Sequence, residues 1–303
     1  MIVRPKQSWF RLLFVWNGSV LQSIIPQLLF MGAVSSLAVF TQGRIFGEKI
    51  PLNTTLLTLF GLTLAIFLAF RNNASYERFN EARHLWGNAL IASRALVSQL
   101  LCYLPAGGEA QRLADLTVAV TYALKHELRD SDPYDDLSKL LGPGQAAWLG
   151  NRKYRPMAIL HLLRERVTRA HAQGVLTDAQ FWTVDAQLVD LGKTIGGCER
   201  IVSTPIPFAY SVLLHRTVYT YCMLLPFGLV DSTEFFTPLL CVFISYTLIA
   251  LEAIANEVAE PFSVAPNALA LDAMTRNIER SVFELCGREL PDPVTPRFPY
   301  QLT

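Results

Sequence analysis

Apolar and polar residues fall along this chain in long blocks rather than in strand-length pieces. Residues 52–70, LNTTLLTLFGLTLAIFLAF, hold no charge, and the run stops at Arg71. A helix of this length crosses a bilayer, at ~1.5 Å rise per residue against a hydrocarbon core of roughly 30 Å. The polar text that follows, RNNASYERFNEARHLWG, has no Pro or Gly before Gly87. One helix is therefore expected to leave the apolar layer and continue into water. Three more apolar runs lie at 20–40, 208–230 and 235–254. Together the four predict two hairpins of membrane helices separated by a long polar middle, 71–204.

Within the second run, Leu62, Ile66 and Phe70 recur at i, i+4 and i+8 and share a helix face. Carried forward, that face meets Asn73, Glu77 and then Asn80 or Glu81. A stripe facing lipid would have no reason to continue past Arg71. A stripe lining a pore would turn from apolar to polar there, as this one does. Ordinary packing between membrane helices gives the same spacing, so the pattern alone leaves packing and pore lining both open. Arg71, Arg78 and Arg83 share the helix and are expected on other faces, paired with acidic neighbours or lipid headgroups.

The polar middle reads as helical. In 109–129, Leu113, Leu116, Val120 and Leu124 stand at helical spacing. SDPYDD and the Gly142–Pro143–Gly144 triplet interrupt the pattern, and 156–172 resumes it behind a proline suited to a first turn. Thr177 and Gln180 fit a capping box that opens a helix with Phe181, Val184, Leu188, Leu191 and Ile195 on one side. Pro261 is expected to end the fourth apolar helix. The text after Leu290 is proline-rich and reads as extended.

Composition agrees with a membrane part joined to a soluble part. Of 303 residues, 51% are hydrophobic and 17% charged, more apolar than a typical soluble domain and more charged than a pure membrane bundle. The net charge of +1 supplies no basic field for nucleic acid. Locally, basic residues gather before the first run (Arg4, Lys6, Arg11) and after the second (Arg71, Arg78, Arg83). The loop at 231–234 has none, and Arg44 and Lys49 in the first loop are a contrary signal. Four spans with this asymmetry put both termini and the polar middle in the cytoplasm. The N-terminal text lacks the apolar core and small-residue cleavage site of a secretory leader and is expected to be retained.

No catalytic or metal motif is present. The chain has no P-loop, GxGxxG after a strand, HExxH or GxSxG. Its five histidines lack ligand spacing, and its five cysteines are scattered without CxxC pairs. Cys222 and Cys241 are expected as small buried hydrophobes. Neither a cofactor nor a metal is expected, and no nucleophile, base and orienting group occur together, which argues against an enzyme. His215 and Arg216 sit inside the third run, where a charge is costly. Glu252 is the expected partner of Arg216, as a structural ion pair or as polar lining beside a pore. Glu252, Asn256 and Glu260 are spaced to collect cations, or more simply to form a solvated face.

Three stretches together carry a resemblance: RNNASYERFNEARHLWG, GCERIVSTPIPFAYSVLLHRTVY and NEVAEPF. In this order they resemble the bestrophin family, its bacterial members above all, and the similarity runs from IVRPKQSWFRLLFVWNGSV to the final YQLT. The resemblance implies an all-α homopentameric ion channel of the bacterial inner membrane, with four transmembrane helices and a helical cytosolic domain. The corresponding segments are 1–70 (N-terminal segment and first hairpin), 71–204 (cytosolic region), 205–256 (second hairpin) and 257–303 (cytosolic C-terminal segment). It implies that Leu62, Ile66 and Phe70 form a hydrophobic pore neck, and that a second, cytosolic constriction falls at Ala179 and Gln180. Bacterial relatives carry a bulky aliphatic residue at the Ala179 position, and Ala179 departs from that pattern with a side chain too small for a tight constriction. Animal members bind calcium through an acidic run after the Pro-Phe motif. Here SVAPNALALDAM follows Pro261–Phe262 and offers one carboxylate, Asp272, against the roughly 6–8 oxygens calcium takes. Animal members conduct anions and bacterial members are thought to pass monovalent cations. Glu77 and Glu81, as vestibule charges, fit cations.

Two functional readings follow. The first is a pentameric channel for monovalent ions, cation-selective and not calcium-gated. The second is a membrane-anchored regulatory or scaffold protein whose cytosolic region binds a partner. Discrete single-channel steps separate the first from the second.

Overall fold

The structure, a computed structural model, describes residues 1–4, 8–45, 48–49, 52–105, 107–296 and 300–303. Lys6 of the N-terminal basic cluster, Pro51 of the first loop and Arg297 of the tail lie outside these residues. Of the described residues, 76% are helical. In order, its elements are α1 (Trp9–Leu12), α2 (Leu21–Phe40), a two-residue antiparallel pair β1 (Arg44–Ile45) and β2 (Glu48–Lys49), and α3 (Thr54–Tyr103). Then come α4 (Gly108–Leu128), α5 (Tyr134–Leu141), α6 (Pro143–Gly150), α7 (Arg155–Ala172) and α8 (Asp178–Ser203). A 3-10 turn at Glu234–Phe236 separates α9 (Phe208–Thr233) from α10 (Thr237–Ala259), and α11 (Leu271–Leu285) completes the fold.

Two compact units are formed. The apolar unit takes residues 4–79 and 205–260, the polar unit 1–3, 80–204 and 261–303. Their boundaries fall one to three helical turns beyond the expected 70 and 256. The reason is physical. Hydropathy changes at Arg71, but α3 keeps its packing partner past that point, through Arg71 to Asn256 and Arg78 to the Ala259 carbonyl.

In the apolar unit, three helical stretches among the described residues are long and apolar enough to cross a membrane: Leu21–Phe40, Thr54–Tyr103 and Phe208–Ala259. The last is the α9–α10 hairpin. The core joins Ile24 and Met31 of α2, Leu57, Leu64 and Leu68 of α3, Val218 and Cys222 of α9, and Cys241 and Ile249 of α10. Cys222 and Cys241 are buried there as free thiols. Glycine sets the approach of α3 to α9. A Cβ on Gly61 would stand 2.6 Å from the Tyr221 hydroxyl oxygen, and one on Gly228 only 2.0 Å from Leu57 Cδ1. Small residues let membrane helices close to this distance.

The polar unit is built around α4. The expected Leu113, Leu116, Val120 and Leu124 are buried, but so are Thr117, Val118, Ala119, Thr121 and Ala123. A helix apolar all round is a core helix rather than a surface one; α5, α7, α8 and α11 all pack on it. The capping box at Thr177 and Gln180 is present, and Val184, Leu188, Leu191 and Ile195 face the core. SDPYDD is only partly a breaker. Asp132 Oδ1 accepts from the Tyr134 amide at 3.0 Å, and α5 begins there; Gly142, at φ 86, separates it from α6.

Candidate functional site

α3 has 50 residues, so it is ~75 Å long at ~1.5 Å per residue. It has two unlike faces within the apolar unit. Leu57, Leu64, Leu68, Arg71 and Ser75 are buried. Leu62, Ile66 and Phe70 are 61%, 49% and 67% exposed, and Asn73 and Glu77 are exposed beyond them. At about 100° per residue the exposed set lies roughly opposite the buried one. The stripe therefore contributes little to the packing of α3 within the apolar unit. Glu77 has no ion pair among the described residues.

The arginines leave this face clear. Arg71 is only 5% exposed; its Nη2 donates to Asn256 Oδ1, and its Nε and Nη1 are sealed without an acceptor among the described residues. Arg78 donates from Nε to the Ala259 carbonyl at 2.7 Å, at the negative end of α10. The expected acidic partner of Arg71 is thus replaced by an amide. Arg83 is exposed.

Two further expectations are corrected. Glu252 pairs with His215, Nδ1 to Oε1 at 2.9 Å, and not with Arg216. Neighbouring positions diverge by about 100° on a helix, so only one of the two can face α10; Arg216 is exposed and makes no ion pair among the described residues. Glu81 is not a free vestibule charge: its carboxylate accepts from Arg200 Nη2 of α8.

At the start of α8, Ala179 is exposed and Gln180 half-buried. Gln180 Oε1 accepts from the Thr177 amide at 3.0 Å, so this side chain is folded back onto its own helix end. Trp182, 72% exposed, shares with Ala179 the side of α8 away from Val184 and Leu188. The signal for it in the sequence is a tryptophan out of phase with the core positions of α8.

The segment after Pro261 is held by side-chain cations. Arg129 donates from Nη1 to Asp272 Oδ2 at 2.9 Å, from Nε to the Phe262 carbonyl at 3.2 Å and from Nη2 to the Leu269 carbonyl at 3.3 Å. Lys125, buried, bridges Asp136 at 3.0 Å and Asp272 at 3.2 Å. Burial pushes the Asp272 carboxyl up, but Lys125 and Arg129 outweigh it and hold it below the usual range. Burial likewise opposes ionisation of Asp136, yet bonds from His126 and Lys125 bring it down to about 2. Asp272 and the Phe262 and Leu269 carbonyls are thus engaged by Arg129 and Lys125, and no cluster of three or more metal-ligating side chains occurs among the described residues.

Residues 1–284 match the family model described as "Bacterial/Fungal Bestrophin protein". A voltage-dependent anion channel-forming protein of Ralstonia nicotianae is 43% identical over 291 residues, 95% of each chain. One of the same description from Escherichia coli K12 is 38% identical over 304 residues, all of each chain. Among solved structures, a bacterial bestrophin homologue from Klebsiella pneumoniae matches with a TM-score of 0.85 and 40% identity, covering 88% of this chain and 99% of that one.

Proposed function

The chain belongs to the bacterial and fungal bestrophin family, and from that membership we propose that it forms a homopentameric channel for monovalent ions, its axial pore narrowed by Leu62, Ile66 and Phe70. It is a channel of a bacterial membrane and not an enzyme. The observation that carries the pore reading is the exposed stripe on α3, opposite the face that packs in the apolar unit. One copy of that stripe encloses nothing, so a cyclic assembly is required, and the family resemblance supplies the number five. Copies facing an axis make apolar rings that disfavour water, which is how a hydrophobic neck gates.

α2, the apolar part of α3, α9 and α10 are taken as four spans of the inner membrane. Even spans and the basic residues before α2 and after Phe70 favour cytoplasmic termini. The contrary Lys49 is paired with Asp231 at 2.7 Å. The channel is not calcium-gated, because Arg129 and Lys125 hold the groups that would bind the ion. Ala179 and Trp182 are the residues to consider for a cytosolic constriction; Gln180 contributes through the cap.

For selectivity, Glu77, exposed and without an ion pair among the described residues, favours cations. The opposite reading, an anion channel, is favoured by the names of the relatives and by the loss of Glu81 to Arg200. Reconstitution into planar bilayers under a potassium chloride gradient tests all of this. Discrete steps reversing toward the potassium value are expected. Reversal near the chloride value overturns the cation assignment, and a silent but partner-binding protein favours a scaffold.

A further inference from the structure

Ahead of α2 lies a segment that the channel reading does not use. In SWFRLLFVW, residues 8–16, the side chains of Trp9, Phe10, Leu12, Leu13, Phe14 and Trp16 are all between 52% and 76% exposed. Among them, Trp9 and Phe10 meet edge-on at 5.7 Å, Phe10 and Phe14 at 5.4 Å. α1 is a single turn of four residues, far below the length at which a helix stands alone in water. Apolar area of this size gains roughly 25 cal/mol per Å² when covered, so in the working protein something covers it.

Three observations point to the same cover. The segment is continuous with a span, since α2 starts at Leu21, five residues after Trp16. Its composition, tryptophan and phenylalanine with leucine around an arginine, is that of side chains at the bilayer–water boundary. Its charge has one sign: residues 1–47 hold Arg4, Lys6, Arg11 and Arg44 and no Asp or Glu. We propose that residues 8–16 are an interfacial anchor lying in the headgroup layer, with Arg11 directed to anionic phospholipid. The inference rests on the membrane reading above. Each basic residue near an anionic surface strengthens such binding, and five anchors around an assembly would fix its depth in the bilayer.

Tryptophan makes the test direct. Of the five tryptophans, Trp86, Trp148 and Trp182 belong to the polar unit, so Trp86→Phe, Trp148→Phe and Trp182→Phe leave Trp9 and Trp16 as reporters. The full chain is reconstituted in liposomes of brominated phosphatidylcholine. Lipid brominated near the headgroup should quench the reporters at least twofold more than lipid brominated deep in the chains. Substituting brominated phosphatidylglycerol should raise the quenching, and Arg11→Gln should remove that increment. If the triple variant does not fold, the native chain against Trp9→Phe/Trp16→Phe gives the same difference signal. Protein that fails to float with liposomes would sink the membrane reading itself. Protein that floats while Trp9 and Trp16 stay unquenched would overturn only the anchor and mean that another copy covers it. Equal quenching in neutral and anionic lipid would overturn the lipid preference.

Discussion

Arg200 of α8 donates from Nη2 to Oε1 of Glu81 on α3, joining two residues 119 positions apart in sequence. The pair divides the two carboxylates that follow the apolar stripe, since Glu81 is neutralised and Glu77 is not. Glu77→Gln should therefore lower the cation-to-chloride permeability ratio by about two- to threefold, the effect of losing an acidic ring at a pore mouth. Glu81→Gln should leave it nearly unchanged and cost about 0.5 kcal/mol of stability, as exposed pairs do. Reversal potentials for the two variants check this; equal shifts would show that Arg200 does not shield Glu81.

Truncating the stripe should open the neck without harming the fold. Ile66 and Phe70 are about half exposed or more in the isolated chain, so Ile66→Ala and Phe70→Ala remove little internal packing. Single-channel recording should give higher conductance or open probability for both, severalfold in direction and size with neck wetting. Unchanged currents from an intact oligomer would mean that the stripe packs against neighbours and lines nothing.

Micromolar calcium should have no effect on the current. Asp272→Ala should instead act on stability. It leaves Lys125 and Arg129 each short of an acidic partner in a largely buried place, at a cost of ~3 kcal/mol, read as a fall in the unfolding midpoint of the purified protein. Steep calcium activation lost in Asp272→Ala would reverse this assignment.

The polar unit should lose stability as pH rises toward neutrality and beyond. Glu127 of α4 and Glu199 of α8 each hold an oxygen sealed from solvent with no donor facing it. Burial first, then the hydrogen bond and charge of Glu199, raise Glu127 from an ordinary 4.5 to about 7, against the pull of the Arg155 backbone amide. A raised carboxyl pKa means that the folded state binds the extra proton. Its stabilisation is complete below about 4.5 and disappears as pH climbs through about 7. Melting temperature should fall from pH 5 to 8, and Glu127→Gln should flatten that slope and raise the melting temperature at pH 8. A slope unchanged by the substitution would place the titration elsewhere.

What was legible in the sequence was whatever depends on near neighbours. The stripe of Leu62, Ile66 and Phe70 and the cap at Thr177 rest on spacings of three or four residues, and the run of α3 past Arg71 on the lack of a helix breaker before Gly87. Side-chain partners across helices were not legible. Arg216 and His215 are adjacent, and hydropathy cannot say which of them turns toward Glu252. Glu81 meets Arg200, and Arg129 meets Asp272, because the polar unit is closed around α4, a fact no local pattern holds. The short pair at Arg44–Ile45 and Glu48–Lys49 leaves no trace in the pattern, since two residues per strand give no alternation to detect.

Lys125 and Arg129 are tethered to α4 by their own stems, so the charges clasping Asp272 have no dissociation constant. Their effective concentration is fixed by the fold and does not follow the medium. A cation arriving from solution would have to displace these tethered charges from Asp272. Whatever stimulus this channel answers, the clasp can transmit it only if a change elsewhere moves α4 or the Pro261–Asp272 segment itself.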